Sequence, residues 1–397
     1  MPAGPFSRRL ADALEAGGAA VARVIFHGGE AWDWGAKQGL RFRGRRGDYP
    51  GWIAETLAAG DFTDVVVFND VNPYSAGALA AARATGLRTW ILENGYQRPD
   101  WITLETAGVN ARSGLPREAA AYADADRLPA PQDGPHLGSI TPYHVYNTVQ
   151  HFTVMVACSP FMTGYRYPYG ISIAGQVLGH SRRFLQMLAG RGARARRAEA
   201  EAARTPYFLL CLQREGDSQL VVHSEVKTNS AVLERVIASF ARHAPPGARL
   251  LVKNHPLDPG LIDLQGVARR IAADHGAEGR VGFLEGGVFA ALARGSSGVI
   301  AVNSTAALAA VGFGTPVKLL GRAFFDIEGL VDQQPLDGFW TAPRAPDHDL
   351  FTRFRRRMSV ETQVYGSYHN PRALRPTAQR VAARLLAGAA SSGAQEP

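Results

Sequence analysis

Short apolar runs rich in β-branched and aromatic residues alternate along the chain with Ala-rich stretches of helical spacing. Val24 to Phe26 predicts a strand opening into His27, Gly28 and Gly29. Val65 to Phe68 predicts a buried strand ending in Asn69 and Asp70, Ala76 to Thr85 a helix, and Thr89 to Leu92 a strand ending in Glu93, Asn94 and Gly95. The second half repeats the grammar. Tyr207 to Leu212 ends at Gln213, a helix covers Ala231 to Ala241, and Leu250 to Lys253 runs into Asn254, His255 and Pro256. Val281 to Phe283, Gly298 to Val302 and Val317 to Leu319 read as further strands, the last two separated by a helix entered through Asn303, Ser304 and Thr305. Continuous apolar strands spaced by helices indicate parallel sheets covered on both faces.

The pattern lapses in three places. Residues 185 to 205, with Arg191, Arg194, Arg196, Arg197 and Arg204, carry no strand signal and read as an exposed helix or linker. Residues 106 to 150, rich in Pro, Gly and Asp, read as long loop, and the Ser, Gly and Ala beyond Ala389 as a frayed end. The expected fold is α/β, with two Rossmann-like domains facing a cleft: residues 1–190, residues 205–375, and a C-terminal helix and tail over 376–397. Ligands of such folds sit at the carboxyl ends of the strands, where the polar groups just named fall.

Composition narrows the classes. Hydrophobic residues make up 46% and charged residues 20% of the 397, which fits a folded globular chain and argues against long disorder. Cys158 and Cys211 cannot form a disulfide framework, and no Cys/His spacing suggests a metal site, so a reducing compartment is expected. Asp12 and Glu15 interrupt what would be the apolar core of a signal peptide, and no apolar run approaches the ~18 residues of a membrane span. The net charge of +8 suits a polyanion, an anionic membrane surface or a phosphorylated substrate. The runs Arg41, Arg43, Arg45, Arg46 and Arg353, Arg355, Arg356, Arg357 suit either anionic lipid or a solvated Arg-rich surface. Aromatic residues do not interleave with these runs, which argues against nucleic acid. The absence of Walker, GxGxxG, GxSxG and HExxH motifs argues against NTPase, dehydrogenase, serine hydrolase and zinc protease chemistry.

Four clusters carry candidate chemistry. Leu92 to Asn110 packs Glu93, Glu105, Arg98 and Asp100 into what reads as one loop after a buried strand. A strand-end carboxylate suits acid/base or nucleophilic work, and the Arg98 fork suits a carboxylate or phosphate. The same charges equally suit a polar loop paired within itself. Lys253, Asn254, His255 and Pro256 suit a phosphate, or a loop histidine alone. Asn303, Ser304 and Thr305 suit an N-cap, a phosphate at a helix start, or both. Gln213, with Asp217, Ser218 and Gln219 after it, suits a sugar or base edge, or a surface turn.

Several of these segments together resemble a known family. LENGYQRPDWITLETAGVN, LQREGDSQLVVHS, VKNHP, VNSTAALAAVGFGTPVKLLG, FDIEGL and QVYGSYHN occur in the order found in capsule polysaccharide biosynthesis proteins of the KpsS/LipB type, over residues 22 to 370. The resemblance implies a GT-B-like glycosyltransferase, a retaining β-Kdo transferase that moves Kdo from CMP-Kdo to a (lyso)phosphatidylglycerol acceptor and so starts the poly-Kdo linker of a capsule. It implies an N-terminal acceptor and catalytic-loop domain, a C-terminal nucleotide-sugar domain, no cofactor beyond the CMP-sugar donor, and a place on the inner face of the cytoplasmic membrane beside other capsule biosynthesis and export proteins. Glu93 and Gly95 match the ends of an acidic motif whose middle position, Asn94 here, is often Asp or Glu. Glu93 and Glu105, with Arg98, are then the catalytic candidates. His255 and Pro256 match a His-Pro motif facing the CMP phosphate, with Lys253, Asn254, Gln213, Asn303, Ser304 and Thr305 around the nucleotide sugar. Asn94 keeps a second reading open, a non-catalytic capsule assembly or export component, and a GT-B transferase of another nucleotide sugar is a third.

Overall fold

The computed structural model describes residues 1–131, 134–138, 141–161, 164–167, 179, 206–215, 226–256, 258 and 260–393. The arginine-rich stretch from 185 to 205 and the residues Asp217, Ser218 and Gln219 lie outside the described residues. The strands are β1 (Val24–Ile25), β2 (Leu40–Arg41), β3 (Asp64–Phe68), β4 (Arg88–Asn94), β5 (Trp101–Glu105), β6 (Tyr207–Cys211), β7 (Arg249–Lys253), β8 (Val281–Leu284), β9 (Gly298–Ala301), β10 (Val317–Leu319) and β11 (Gln363–Tyr365). Two compact units result. One comprises Met1–Val109, Ala130–Pro168 and Met358–Pro397, the other Asn110–Pro129 and Tyr169–Arg357.

The first unit is built on a four-stranded sheet of order β11-β5-β4-β3. Ile91 and Leu92 are neighbours on β4, so their side chains leave on opposite faces, and both are fully buried. Ile91 packs with Val67, Tyr49, Ile53 and Leu79, the last three from α3 (Tyr49–Ala59) and α4 (Pro73–Ala84). Leu92 packs with Ile102, Leu104 and Val364, with Phe6 and Leu10 of α1 (Phe6–Ala16), and with Val381 and Leu385 of the helix Pro371–Gly393. Helix α4 starts three residues before its expected start because the Asn72 side chain caps the Tyr74 N–H and Pro73 sets the first turn. The Asp64 carboxylate accepts from Arg88 Nε, Arg88 Nη2 and Trp90 Nε1 at 2.6–2.8 Å and fixes the register of β3 against β4.

Three expectations change here. Trp101 to Glu105 is a strand antiparallel to β4, so the Leu92–Asn110 stretch is largely a hairpin and the sheet is mixed rather than parallel. Thr141–Ala157, expected as loop, is a 17-residue helix, α5, packed on α2 (Gly28–Trp34). The domain boundaries also differ. β11 pairs with β5, and the helix Pro371–Gly393 buries its apolar side on the first unit, so residues 358 onward belong to the N-terminal sheet and not to a second domain ending at 375.

The second unit carries a five-stranded, wholly parallel sheet of order β10-β9-β6-β7-β8. Every residue of Tyr207–Cys211 is buried, as a central strand covered on both faces requires. Val232, Val236, Ile237 and Phe240 of the helix Asn229–His243 fill one face against Phe208, Leu210, Leu250 and Val252. The chain enters the sheet at β6, adds β7 and β8 on one side and then β9 and β10 on the other. Its direction of winding therefore reverses between β6 and β9, which is where doubly wound sheets bind ligands.

Candidate functional site

The reversal point of the second unit is lined by polar side chains. Gln213 follows β6 and Asn303 follows β9, and the Gln213 amide donates to Asn303 Oδ1 at 2.9 Å. Both are buried. Asn229, at the start of the helix Asn229–His243 and 1% exposed, donates to the Gln213 carbonyl (2.8 Å) and to Glu215 Oε2 (2.9 Å). Gln213 Oε1 and Asn229 Oδ1 are buried acceptors with no hydrogen-bond partner among the described residues. Such atoms suit the N–H or O–H groups of a ligand or of ordered water.

One strand over, β7 ends in Lys253, which is buried beside Cys211. Burial pushes the Cys211 thiol up to about 12, against the opposing pull of Lys253, so this cysteine is an inert packing group. Asn254 Oδ1 accepts the His255 N–H at 2.8 Å and its amide donates to Glu285 Oε2 at 3.2 Å, which fixes the turn presenting the half-buried His255 and the exposed Pro256. Ser304 is the N-cap of the helix Thr305–Gly312, its Oγ accepting from the Ala306 N–H. The sequence-expected residues Gln213, Lys253, Asn254, His255, Pro256, Asn303, Ser304 and Thr305 therefore all stand at the carboxyl ends of β6, β7 and β9. Asn229 and Glu285 join them without a sequence signal. A cavity of about 790 Å³ in this unit lies among Arg235, Arg242, Lys318 and Arg322 and includes none of these residues.

In the first unit the β4–β5 hairpin places both glutamates on one face. Glu93 stands opposite Thr103 and Glu105 lies two residues further along β5, a diagonal pair at a Cα spacing of roughly 7–8 Å. Glu105 is buried and accepts the Tyr96 hydroxyl at 2.6 Å. Glu93 is half-buried, and its Oε1 accepts the Asn94 backbone N–H (2.8 Å) and the Asn94 side-chain amide (3.3 Å). A carboxylate at position 94 would have no such amide to donate. Gln363 holds the hairpin turn, accepting the Tyr96 N–H (2.9 Å) and donating to Thr103 Oγ1 (3.0 Å). Tyr368 donates to the Glu93 carbonyl at 2.9 Å. Gly95 is required by packing: a Cβ there would lie 2.1 Å from the Trp101 carbonyl oxygen and 2.7 Å from that of Gln97. Arg98 is exposed on the turn, with its Nε 3.4 Å from the Gly95 carbonyl.

The two arginine runs part company. Arg41, Arg43, Arg45 and Arg46 are exposed. Arg356 and Arg357 donate to the carbonyls of Asp126 and Ala121, and Arg357 lies over the Tyr122 ring, so this pair serves packing within the second unit rather than a lipid face. Among the described residues no group of three His, Cys, Asp or Glu is placed to hold a metal ion.

Residues 63–369 match the family model described as capsule polysaccharide biosynthesis protein. The chain is 30% identical over 375 residues to the capsule polysaccharide export protein KpsS of Escherichia coli, covering 93% of this chain and 95% of the relative. It is 31% identical over 387 residues to the capsule polysaccharide modification protein LipB of Neisseria meningitidis serogroup B, covering 93% and 90%. Among solved structures, the KpsC beta Kdo 2,7 transferase of Thermosulfurimonas dismutans aligns at a TM-score of 0.43 and 14% identity, covering 92% of this chain and 100% of that one. With a family match over most of its length and relatives of this identity along nearly all of it, the chain belongs to the capsule polysaccharide biosynthesis protein family.

Proposed function

We propose that this capsule biosynthesis protein is a glycosyltransferase that moves Kdo from CMP-Kdo to a (lyso)phosphatidylglycerol acceptor with retention of configuration. The observation that carries the reading is the pair of glutamates on one face of the β4–β5 hairpin, one open and one buried. Retention through two displacements needs a carboxylate that reaches the sugar and a second group that manages the acceptor proton. The more open Glu93, steadied by both Asn94 donors, suits the carboxylate that attacks the anomeric carbon. The bond from that carbon to the phosphate oxygen breaks, and CMP leaves with the electron pair. An acceptor hydroxyl then displaces the carboxylate, giving its proton to a base, and Glu93 is freed. Glu105, held by Tyr96, suits positioning of the hairpin and relay of that proton.

The donor's phosphate and carboxylate need cationic and N–H donors, which the second unit supplies at Lys253, His255 and the start of the helix Thr305–Gly312. The open acceptors Gln213 Oε1 and Asn229 Oδ1 suit the amino group of a cytosine or sugar hydroxyls. Asn94 serves here as a support for Glu93, so its presence is compatible with catalysis.

The test is a transfer assay with CMP-Kdo generated in situ and a fluorescent phosphatidylglycerol analogue. Wild type adds one Kdo, and Glu93→Gln abolishes transfer while retaining the CMP-induced rise in Tm. If CMP stabilises the protein but no product forms, another sugar or acceptor is indicated. If UDP or GDP stabilises it and CMP does not, the donor reading falls.

A further inference from the structure

Helix α5 turns one side into the first unit, and apolar residues on its other side are exposed. Its inner side is pinned: His151 Nδ1 pairs with Asp33 Oδ2 at 2.7 Å, and His144 Nδ1 with His369 Nε2 at 2.8 Å. Gly28 and Gly29 of α2 let the two helices close, since a Cβ on Gly29 would lie 2.5 Å from the His151 carbonyl. The outer side carries Val145, Val149 and Val156 in one stripe with Tyr146 beside it, and Tyr146 and Val149 expose 64% and 60% of their surface. Trp32 on the adjoining α2 is also exposed.

The charge around this face selects its occupant. Residues 141 to 157 contain no Asp, Glu, Lys or Arg. The two carboxylates of α2 turn inward, Asp33 to His151 and the Gly4 N–H, Glu30 to Arg23 and the Phe26 N–H. Just past α5, Gly164 lies so close to the Arg43–Gly44 backbone that a Cβ would sit 2.2 Å from the Gly44 carbonyl oxygen. The exposed Arg41, Arg43, Arg45 and Arg46 thus stand on a loop touching the chain that leaves α5. An apolar face with Trp and Tyr, no exposed carboxylate on α2 or α5, and a margin of four exposed arginines against one exposed carboxylate, Asp48, matches the boundary of an anionic bilayer. A second copy docked on the same face would bring two arginine loops together. No helix among the described residues is long and apolar enough to cross a membrane, so the contact would be interfacial.

We propose that the outer face of α5, with Trp32 and the Arg41–Arg46 loop, docks on the surface of a bilayer containing anionic lipid. This goes beyond the transfer reading, and the two fail separately. The test is flotation with vesicles of phosphatidylcholine alone and of phosphatidylcholine mixed with phosphatidylserine, an anionic lipid that is not the proposed acceptor. The protein should float with the mixed vesicles and be released by salt. Tyr146→Ser with Val149→Ser should weaken flotation about tenfold without changing Tm, because both side chains are exposed. Arg43→Ala with Arg45→Ala should weaken it about tenfold on the anionic vesicles only. Wild type that ignores both vesicles overturns the proposal. So does a Tyr146/Val149 variant that floats as wild type does, or one whose only effect is to dissociate a dimer.

Discussion

Two histidines buried in the first unit make it sensitive to mild acid. His27 stands at the N-cap position of α2, with its ring against that of Tyr165 at 4.5 Å, and His369 sits between His144 and Asn147. Burial is the main cause that lowers each from 6.5 to about 4, with the neighbouring His151 and His144 pushing the same way. Both stay neutral in the fold while the unfolded chain takes up protons near 6.5. Stability is therefore complete above pH 6.5 and is lost as pH falls towards 4. At pH 5 the linkage relation gives about 2 kcal/mol per ring, so about 4 kcal/mol for the pair, a large share of the 5–15 kcal/mol of a typical domain. Urea unfolding at pH 7.5 and pH 5 measures the difference before most carboxylates begin to titrate. His369→Gln should shrink it by about 2 kcal/mol. A stability that stays within about 0.5 kcal/mol between the two pH values would refute the assignment of these rings as buried and neutral.

Three further predictions concern the candidate site. Gly95→Ala drives a Cβ into the Trp101 and Gln97 backbone and should cost about 3 kcal/mol, read as a lower midpoint in urea with the loss confined to the first unit. Tyr96→Phe removes the hydroxyl that Glu105 accepts, so it should cost about 1–3 kcal/mol, read as a lower midpoint in urea, and slow transfer. Gln213→Leu removes both the bond to Asn303 and the open acceptor, and should abolish the CMP-induced rise in Tm in a protein that still folds.

The sheet strands legible in the sequence are those with a continuous apolar run, such as Val65–Phe68 on β3 and Tyr207–Cys211 on β6. Tyr207–Cys211 and the strands beside it announce themselves because every position is apolar or nearly so, and their carboxyl ends locate Gln213, Lys253, His255 and Asn303 directly. β5 is hidden for the opposite reason. Thr103 and Glu105 are polar yet buried, and the Thr103 hydroxyl is satisfied by donating to the Asn94 carbonyl across the hairpin and accepting from Gln363, 260 residues away. Local chemistry cannot announce a partner that distant, and for the same reason β11 and the last helix return to the first sheet unannounced.

Helix α5 is obscured by composition. Val145, Thr148, Val149, Thr153, Val154 and Val156 are poor helix formers, and its inner contacts are histidines rather than leucines, so neither propensity nor apolar periodicity marks it. It forms because tertiary contacts hold it, through Asp33, His369 and the close approach of Gly28 and Gly29. The same residues explain its outer face. A helix selected for tertiary anchoring and a dry exterior, with no charge along its length, is poorly matched to water, and a sequence that keeps it uncharged beside four exposed arginines is matched to an anionic surface. The departures from the expected pattern, buried polar groups on the hairpin and exposed apolar groups on α5, thus fall where the chemistry and the docking are proposed, because function is what local folding rules do not supply.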